Sequence, residues 1–312
     1  MISLPDLEII VTGNQVGVVK FWKYDEFTIE HIIEEPVVKE RVNSLCYLGD
    51  KRHLFAGGSD STLSLIYLEG INNIDKWHVF DYTYSEICID LDMKSCIGEI
   101  IKICSALDYQ HIFYNIGSKI VCFNNYTKKI TNISQQQEHD ILSMVYLEKQ
   151  KLLIYSTNNS IQYINPYNST TYYSISTGSF NLRNLISCTG KQGIQLISGI
   201  CENEIVLYSI IPSIEREINL QHESQVFYEI VKYKTYKYNT KIVKICYCYD
   251  EKTILVILHE GIFYLQNIDI EDNKKKCSAF KNPFSNGCYF EDGNMLALTS
   301  EDGNVDIFCC SN

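Results

Sequence analysis

Apolar and polar residues alternate with a period of two through most of this chain, in short runs broken by acidic, Gly or Asn turns. The stretch from Gly287 to Phe308 shows it best. Gly287-Cys288-Tyr289-Phe290 leads into the turn Glu291-Asp292-Gly293-Asn294, then Met295-Leu296-Ala297-Leu298-Thr299-Ser300. A second turn, Glu301-Asp302-Gly303-Asn304, leads into Val305-Asp306-Ile307-Phe308. Asp-Gly supplies the positive φ that a tight hairpin needs, so these residues predict three short strands joined by tight turns. Helix is disfavoured, because the runs are short and rich in β-branched and aromatic residues.

The same unit recurs. A second copy reads Val42 to Leu48, His53 to Gly58, the turn Ser59-Asp60-Ser61-Thr62, and Leu63 to Leu68. Others begin near Ile100, Ile141, Leu182 and Ile242. The first copy is shortened: Ile2-Ser3-Leu4 is a strand stub, Pro5-Asp6 a turn, Leu7 to Thr12 the second strand and Val18 to Trp22 the third. A more polar fourth run usually follows, such as Thr28 to Ile33 or Lys129 to Ile133. First strands are spaced by about 41 residues in three cases and near 60 in two, the long spacings holding inserts at Asn72 to Glu99 and Ser213 to Asn239. A repeat of about 40–45 residues with four strands is the signature of a propeller. The expected fold is therefore all-β, a seven-bladed WD-repeat β-propeller forming one domain over residues 1–312. In the seventh copy the pattern stops on the third strand, at Cys309-Cys310-Ser311-Asn312. That blade is expected to lack its outer strand, to gain it from earlier chain, or to receive it from a partner, since an open edge is a pairing site.

Hydrophobic residues make up 46% of the 312, enough for a large core. The formal net charge of −11 disfavours a nucleic-acid partner outside a larger complex and suits basic partner segments. Thirteen cysteines are scattered singly, and Met1-Ile2-Ser3-Leu4-Pro5-Asp6 lacks the basic start and apolar run of a secretory signal. Reduced thiols in the nucleus or cytoplasm are the expectation. No apolar run is long enough for a membrane helix.

Chemical motifs are sparse. There is no Gly-rich phosphate loop, Gly-x-Ser-x-Gly elbow or His-Glu-x-x-His. Cys246-Tyr247-Cys248 has the wrong spacing for zinc and, on a strand, places both thiols on one buried face. Adjacent Cys309-Cys310 point to opposite faces. His139, just before a first strand, suits a structural hydrogen bond within its blade, whereas His111 and His259 have no evident partner. Glu34-Glu35 and the pair Asp90 and Asp92 read as solvated loop acids rather than an acid–base pair. The second insert carries Tyr228, Tyr233, Tyr236 and Tyr238 among lysines. It reads as an extended blade edge or partner contact, because Glu223 and Glu229 dilute a nucleic-acid signal. No enzyme activity, cofactor, metal or small-molecule substrate is expected; the expected partners are other proteins, bound at the propeller top face and blade edges.

One stretch resembles a known family. Ser179-Phe180-Asn181-Leu182-Arg183, Gly190-Lys191-Gln192-Gly193-Ile194-Gln195-Leu196-Ile197-Ser198-Gly199 and Ile205-Val206-Leu207-Tyr208 look like the fifth blade of the spindle-checkpoint BUB and mRNA-export RAE propellers. That resemblance implies a top face that binds a short acidic-containing peptide, the GLEBS motif, with Arg183 as a contact residue. The family's second arginine falls here at Asn203-Glu204, and its first-blade tryptophan at Asn14. Arg183, Asn14 and Glu204 are therefore the candidate partner-binding residues. The sixth copy, Ile242 to Ile268, also resembles the ribosome-bound receptor-for-activated-kinase propeller, although the chain has no Trp-Asp pair. A third expectation is an RNA-contacting subunit of a larger complex.

Overall fold

The computed structural model describes residues 1–24, 29–49, 52–68, 84–86, 98–106, 110–134, 137–167, 170–176, 181–189, 195–213, 228–247, 252–268, 274–277, 283–290 and 295–309. These residues form seven antiparallel sheets whose strands lie side by side in chain order. The first holds β1 (Ile2–Leu4), β2 (Ile9–Gly13), β3 (Val18–Tyr24) and β4 (Ile29–Pro36). The second holds β5 (Val42–Leu48), β6 (His53–Gly58), β7 (Leu63–Tyr67) and β8 (Tyr84–Glu86). The third holds β9 (Ile103–Ser105), β10 (His111–Ile116), β11 (Lys119–Asn124) and β12 (Lys129–Ile133). The fourth holds β13 (Ser143–Leu147), β14 (Leu152–Ser156), β15 (Ser160–Asn165) and β16 (Thr170–Ser176). The fifth holds β17 (Arg183–Thr189), β18 (Gln195–Cys201), β19 (Glu204–Pro212) and β20 (Tyr228–Lys237). The sixth holds β21 (Ile242–Tyr247), β22 (Thr253–Leu258), β23 (Phe263–Asn267) and β24 (Lys274–Cys277). The seventh holds three strands among the described residues, β25 (Phe284–Phe290), β26 (Met295–Ser300) and β27 (Val305–Cys309).

The chain groups into two compact units, residues 1–141 with 166–169 and 286–312, and residues 142–165 with 170–285. In the first unit, side-chain alternation along a strand sorts each sheet's residues between two neighbours. Leu54 and Ala56 of β6 pack with Ile9, Val11, Val19 and Phe21 of the first sheet. Phe55, between them, packs the other way, against Ile112, Tyr114 and Phe123 of the third. Ile10 and Tyr24 meet Met295, Ala297 and Val305 of the seventh sheet. The second unit follows the same rule. Ile205 and Leu207 of β19 pack against Ile245, Ile254 and Val256, while Val206, Tyr208 and Ile210 face Ile154, Ile161 and Tyr163. Both faces being buried, the middle strands read as unbroken apolar runs, and each large side chain removed from water stabilises the fold by about 1.5–3 kcal/mol.

Main-chain stitches join successive copies. The N–H of Val42 donates to the carbonyl of Asn14 at 2.9 Å, Ile100 to Gly58 at 3.1 Å, Ile141 to Gly117 at 3.3 Å and Ile242 to Glu202 at 3.1 Å. These are the apolar residues that open a copy in the sequence. In the second and sixth copies these residues also open the first strand, whereas in the third and fourth the strands begin a little later, at Ile103 and Ser143. Serine hydroxyls reinforce the joins: Ser44 Oγ accepts from Ile103 N at 3.0 Å, and Ser143 Oγ from Leu185 N at 2.8 Å.

The turn between first and second strands also repeats. Glu8 N–H donates to Pro5 C=O, Arg52 to Gly49 and Lys151 to Glu148, at 3.2, 3.3 and 3.3 Å. All three donors are left-handed, with φ of 53°, 50° and 51°. The Pro5-Asp6 turn is thus a short 3-10 turn over Pro5–Leu7.

The stretch from Ser213 to Asn239 is less an insert than its sequence suggests, because it supplies β20, a ten-residue fourth strand. Residues 214–227 lie outside the described residues, as do most of Asn72 to Glu99, Asp90 and Asp92, the turns at 190–194 and 291–294, Cys248 and Cys310.

Candidate functional site

Four turns of the first unit, each at the end of its sheet where second and third strands meet or where a copy opens, border an open cleft of about 600 Å³. It is lined by Gln15, Val16, Lys39, Glu40, Arg41, Ser59 and Glu99. The construction starts at Asn14, whose Oδ1 accepts the N–H groups of Val16 and Val18 at 3.0 and 2.9 Å. That side-chain turn pushes Val16 outward until it is 71% exposed. Gly17 follows with φ of +82°, and its carbonyl accepts Val37 N and Val38 N at 2.9 and 3.3 Å, which fixes the loop bearing Lys39, Glu40 and Arg41. A Cβ at Gly17 would lie 2.0 Å from the carbonyl oxygen of Val38, so only glycine fits.

Asp60 pins the same loop from the second sheet. Its Oδ2 accepts Lys39 N at 2.9 Å and Thr62 Oγ1 at 2.9 Å, and its Oδ1 accepts Thr62 N at 3.2 Å. Burial pushes this carboxyl up, but the hydrogen bonds from Lys39 and Thr62 outweigh it and hold Asp60 below its ordinary value. Ser59 Oγ donates to Glu40 Oε2 at 3.0 Å.

Arg41 is held in a planar triangle. Its Nε donates to Asn43 Oδ1 at 2.7 Å, its Nη2 to Glu99 Oε2 at 3.0 Å, and Asn43 Nδ2 donates to the same Glu99 oxygen at 3.2 Å. The Arg41 and Glu99 side chains remain 53% and 47% exposed, so the pair adds about 0–1 kcal/mol to stability. What it fixes is orientation: a half-exposed guanidinium presented beside an outward valine.

The sequence candidates fall at matching places in their own sheets. Asn14 shapes the cleft wall from beneath. Arg183 is exposed at the start of β17, opposite Ile200 in the register. Its neighbour Asn184 is left-handed, with φ of 51°, and donates from Nδ2 to Ile245 C=O at 2.7 Å, which anchors the arginine's backbone. Glu204 opens β19 at the same end of the fifth sheet and pairs with Lys237 at 2.6 Å. Its hydrogen bond to the Glu204 carboxylate holds Lys237 above its ordinary value. The structure brings Arg183 and Glu204 to one end of one sheet; Asn14 belongs to the other unit.

Other expectations resolve as follows. His111, without a partner in the sequence, sets its ring 5.1 Å from Tyr167, edge-on. His139 and Cys246 are half-buried. In the tyrosine–lysine strand β20 Tyr236 is buried and Tyr233 is 50% exposed, and Tyr238, just past its end, is buried. Lys234 stacks 4.9 Å over the Tyr236 ring and Lys237 is paired with Glu204, so part of the strand's positive charge is already engaged. Among the described residues, no group of three His, Cys, Asp or Glu side chains is placed to hold a metal, and no helix is long and apolar enough to cross a membrane. Arg41, Glu99 and Val16 were not legible as site residues. The one usable signal was the turn Ser59-Asp60-Ser61-Thr62, whose aspartate organises the loop that carries Arg41.

No family model matches the chain, and no curated protein matches it. Among solved structures it is similar to the β-propeller domain of Myceliophteria thermophila Cps50 (Swd1), with a TM-score of 0.72 and 9% identity, over 98% of this chain and 94% of that one. At that identity the likeness bears on fold alone: the seven antiparallel sheets are those of a seven-bladed β-propeller.

Proposed function

We propose that this chain is a non-enzymatic scaffold of the nucleus or cytoplasm that binds short peptide segments of partner proteins. The observation that carries the reading is the cleft built on Arg41: an oriented guanidinium beside an exposed valine, on turns locked by Asn14, Gly17 and Asp60. Arginine held in place on a rigid support is among the side chains that supply most of the energy of protein interfaces. Arg41 is paired with Glu99, and Glu40 accepts from the Ser59 hydroxyl, which suits recognition better than proton transfer.

The finer placement, in mitotic-checkpoint signalling or nuclear mRNA export, is supported by Arg183, exposed where the BUB and RAE resemblance puts a peptide-contacting arginine. Screening the full chain against a library of short peptides tests the reading. Enriched peptides should bind the protein and lose binding to Arg41→Glu and Val16→Asp, with thermal unfolding of both variants unchanged. A library that yields no enriched peptide, or peptides that bind the variants equally well, overturns it. For the finer placement, a GLEBS-type peptide should bind, and Arg183→Ala should weaken it.

A further inference from the structure

Arg41 has more donors than its neighbours use. A guanidinium carries five N–H groups in a flat fork and no acceptor. The Nε–H goes to Asn43 and one Nη2–H to Glu99, while Asn43 Nδ2 meets the same Glu99 oxygen. These bonds fill the side-on edge of the group, where Nε–H and an Nη2–H lie parallel. The end-on edge offers one N–H from each Nη, and among the described residues nothing accepts from it. The side chain is 53% exposed and lines the cleft. Asn43 and Glu99 hold the guanidinium along one side, so the open edge is presented in a set plane.

Two parallel N–H donors match the paired oxygens of a carboxylate or a phosphate. A purely apolar or basic segment would cover these donors without supplying an acceptor, which is unfavourable once water is excluded. The charges lining the cleft favour one anion over the other. Lys39 and Arg41 are matched in number by Glu40 and Glu99. Glu99 takes both donated bonds on Oε2 and none on Oε1, so its charge stands at the flank of Arg41 only partly met. A carboxylate adds one negative charge beside it, whereas a phosphate ester adds about −1.5 to −2 and is repelled correspondingly more. Phosphate recognition also draws on clustered arginines, and Arg41 is the one arginine among the lining residues. The net charge of −11 belongs to the whole chain; at the cleft the formal charges cancel.

We infer that the cleft receives a partner segment through a carboxylate seated end-on against Arg41, and that Glu99 makes the site reject phosphate. The inference rests on the peptide-binding reading above and names the chemistry of the peptide. Glu99 acts through Arg41 as a positioning residue: it fixes the plane of the fork and lowers the charge the fork can match. The carboxylate is either an acidic side chain or a chain terminus, which offer the same two oxygens.

Four synthetic peptide libraries of equal length, with random flanks, test this on the full chain. Three have blocked ends and a central Glu-Val, phosphoserine-Val or Gln-Val; the fourth ends in a valine with a free carboxylate. The Glu library or the free-ended library should bind at least about tenfold more tightly than the Gln library. Which of the two does so tells a side chain from a terminus. The phosphoserine library should bind no more tightly than the better carboxylate library. In Glu99→Gln an amide oxygen remains to accept from Arg41 and Asn43, and there the phosphoserine library should overtake both. Arg41→Lys keeps the charge but not the fork, and should lose the preference for a carboxylate over Gln.

Carboxylate libraries that bind no better than the Gln library overturn the inference and leave the peptide-binding reading standing. Phosphoserine peptides that bind the unaltered protein most tightly also overturn it. An order of libraries unchanged in Glu99→Gln overturns the role of Glu99. No binding by any library overturns the inference and the reading together. Should Glu99→Gln fail to fold, the order of the libraries on the unaltered protein still decides.

Discussion

The hydroxyl of Ser143 accepts the backbone N–H of Leu185 across two successive copies, at 2.8 Å, and Ser44 does the same for Ile103 at 3.0 Å. Both serines are buried. Each is a small polar residue on a first strand, and each satisfies an N–H of the next copy's first strand, Ile103 at the start of β9 and Leu185 within the register shift of β17. Ser143→Ala or Ser44→Ala would leave a buried N–H without its acceptor. Each should cost about 1–3 kcal/mol, read as a fall in the urea midpoint at constant slope. A loss no larger than that of an exposed serine would mean that these bonds do not hold the joins.

Gly17 and Gly303 make a matched pair. Their φ values are +82° and +86°, yet a Cβ at Gly17 would strike the carbonyls of Val38 and Glu40, whereas one at Gly303 would meet nothing within 4 Å. Gly303→Ala should therefore cost only the strain of the left-handed backbone, about 1 kcal/mol. Gly17→Ala should cost clearly more and should also abolish peptide binding in whatever fraction folds, because the loop bearing Arg41 must move. Thermal unfolding and peptide titration of the two variants separate these effects.

Asp60 makes the loop acid-sensitive. Its folded-state carboxyl is held below its ordinary value. Its contribution is thus fully present above the unfolded pKa, about 3.9, and is lost as pH falls through the lower folded value. The protein should lose stability below about pH 4, and Asp60→Ala should flatten that part of the profile while lowering stability at neutral pH. Thermal midpoints from pH 7 to pH 3 for both proteins provide the check.

Arg41→Ala and Val16→Ala touch only exposed groups, so each should change stability by no more than about 0.5 kcal/mol. Peptide affinity should nevertheless fall for both. Equal losses of stability and binding would show that the cleft is structural rather than a recognition surface.

The middle strands were legible because burial on both faces makes them continuous: Leu54-Phe55-Ala56 and Leu296-Ala297-Leu298 could hardly be anything else. The copy openings were legible for another reason. Val42, Ile100, Ile141 and Ile242 stand out as apolar residues after polar loops, and each packs inward, wholly or in part, where it makes its stitch. β20 was harder to place, since Lys232, Lys234 and Lys237 interrupt the alternation and a bulge between Leu207 and Tyr208 shifts its register. The cleft could not be read at all. Val16, Arg41, Ser59 and Glu99 come from four separate turns, each of them ordinary in its own sequence neighbourhood. Only the fold sets them side by side.

Glu8, Arg52 and Lys151 share one turn, one hydrogen bond and one left-handed backbone, although their side chains are an acid and two unlike bases. The turn therefore constrains the route of the main chain and leaves the side chain open to drift. A lineage built from such copies can exchange nearly all its letters while retracing the same curve. Two chains can therefore share a fold with few residues in common, as this chain and the Cps50 domain do at 9% identity.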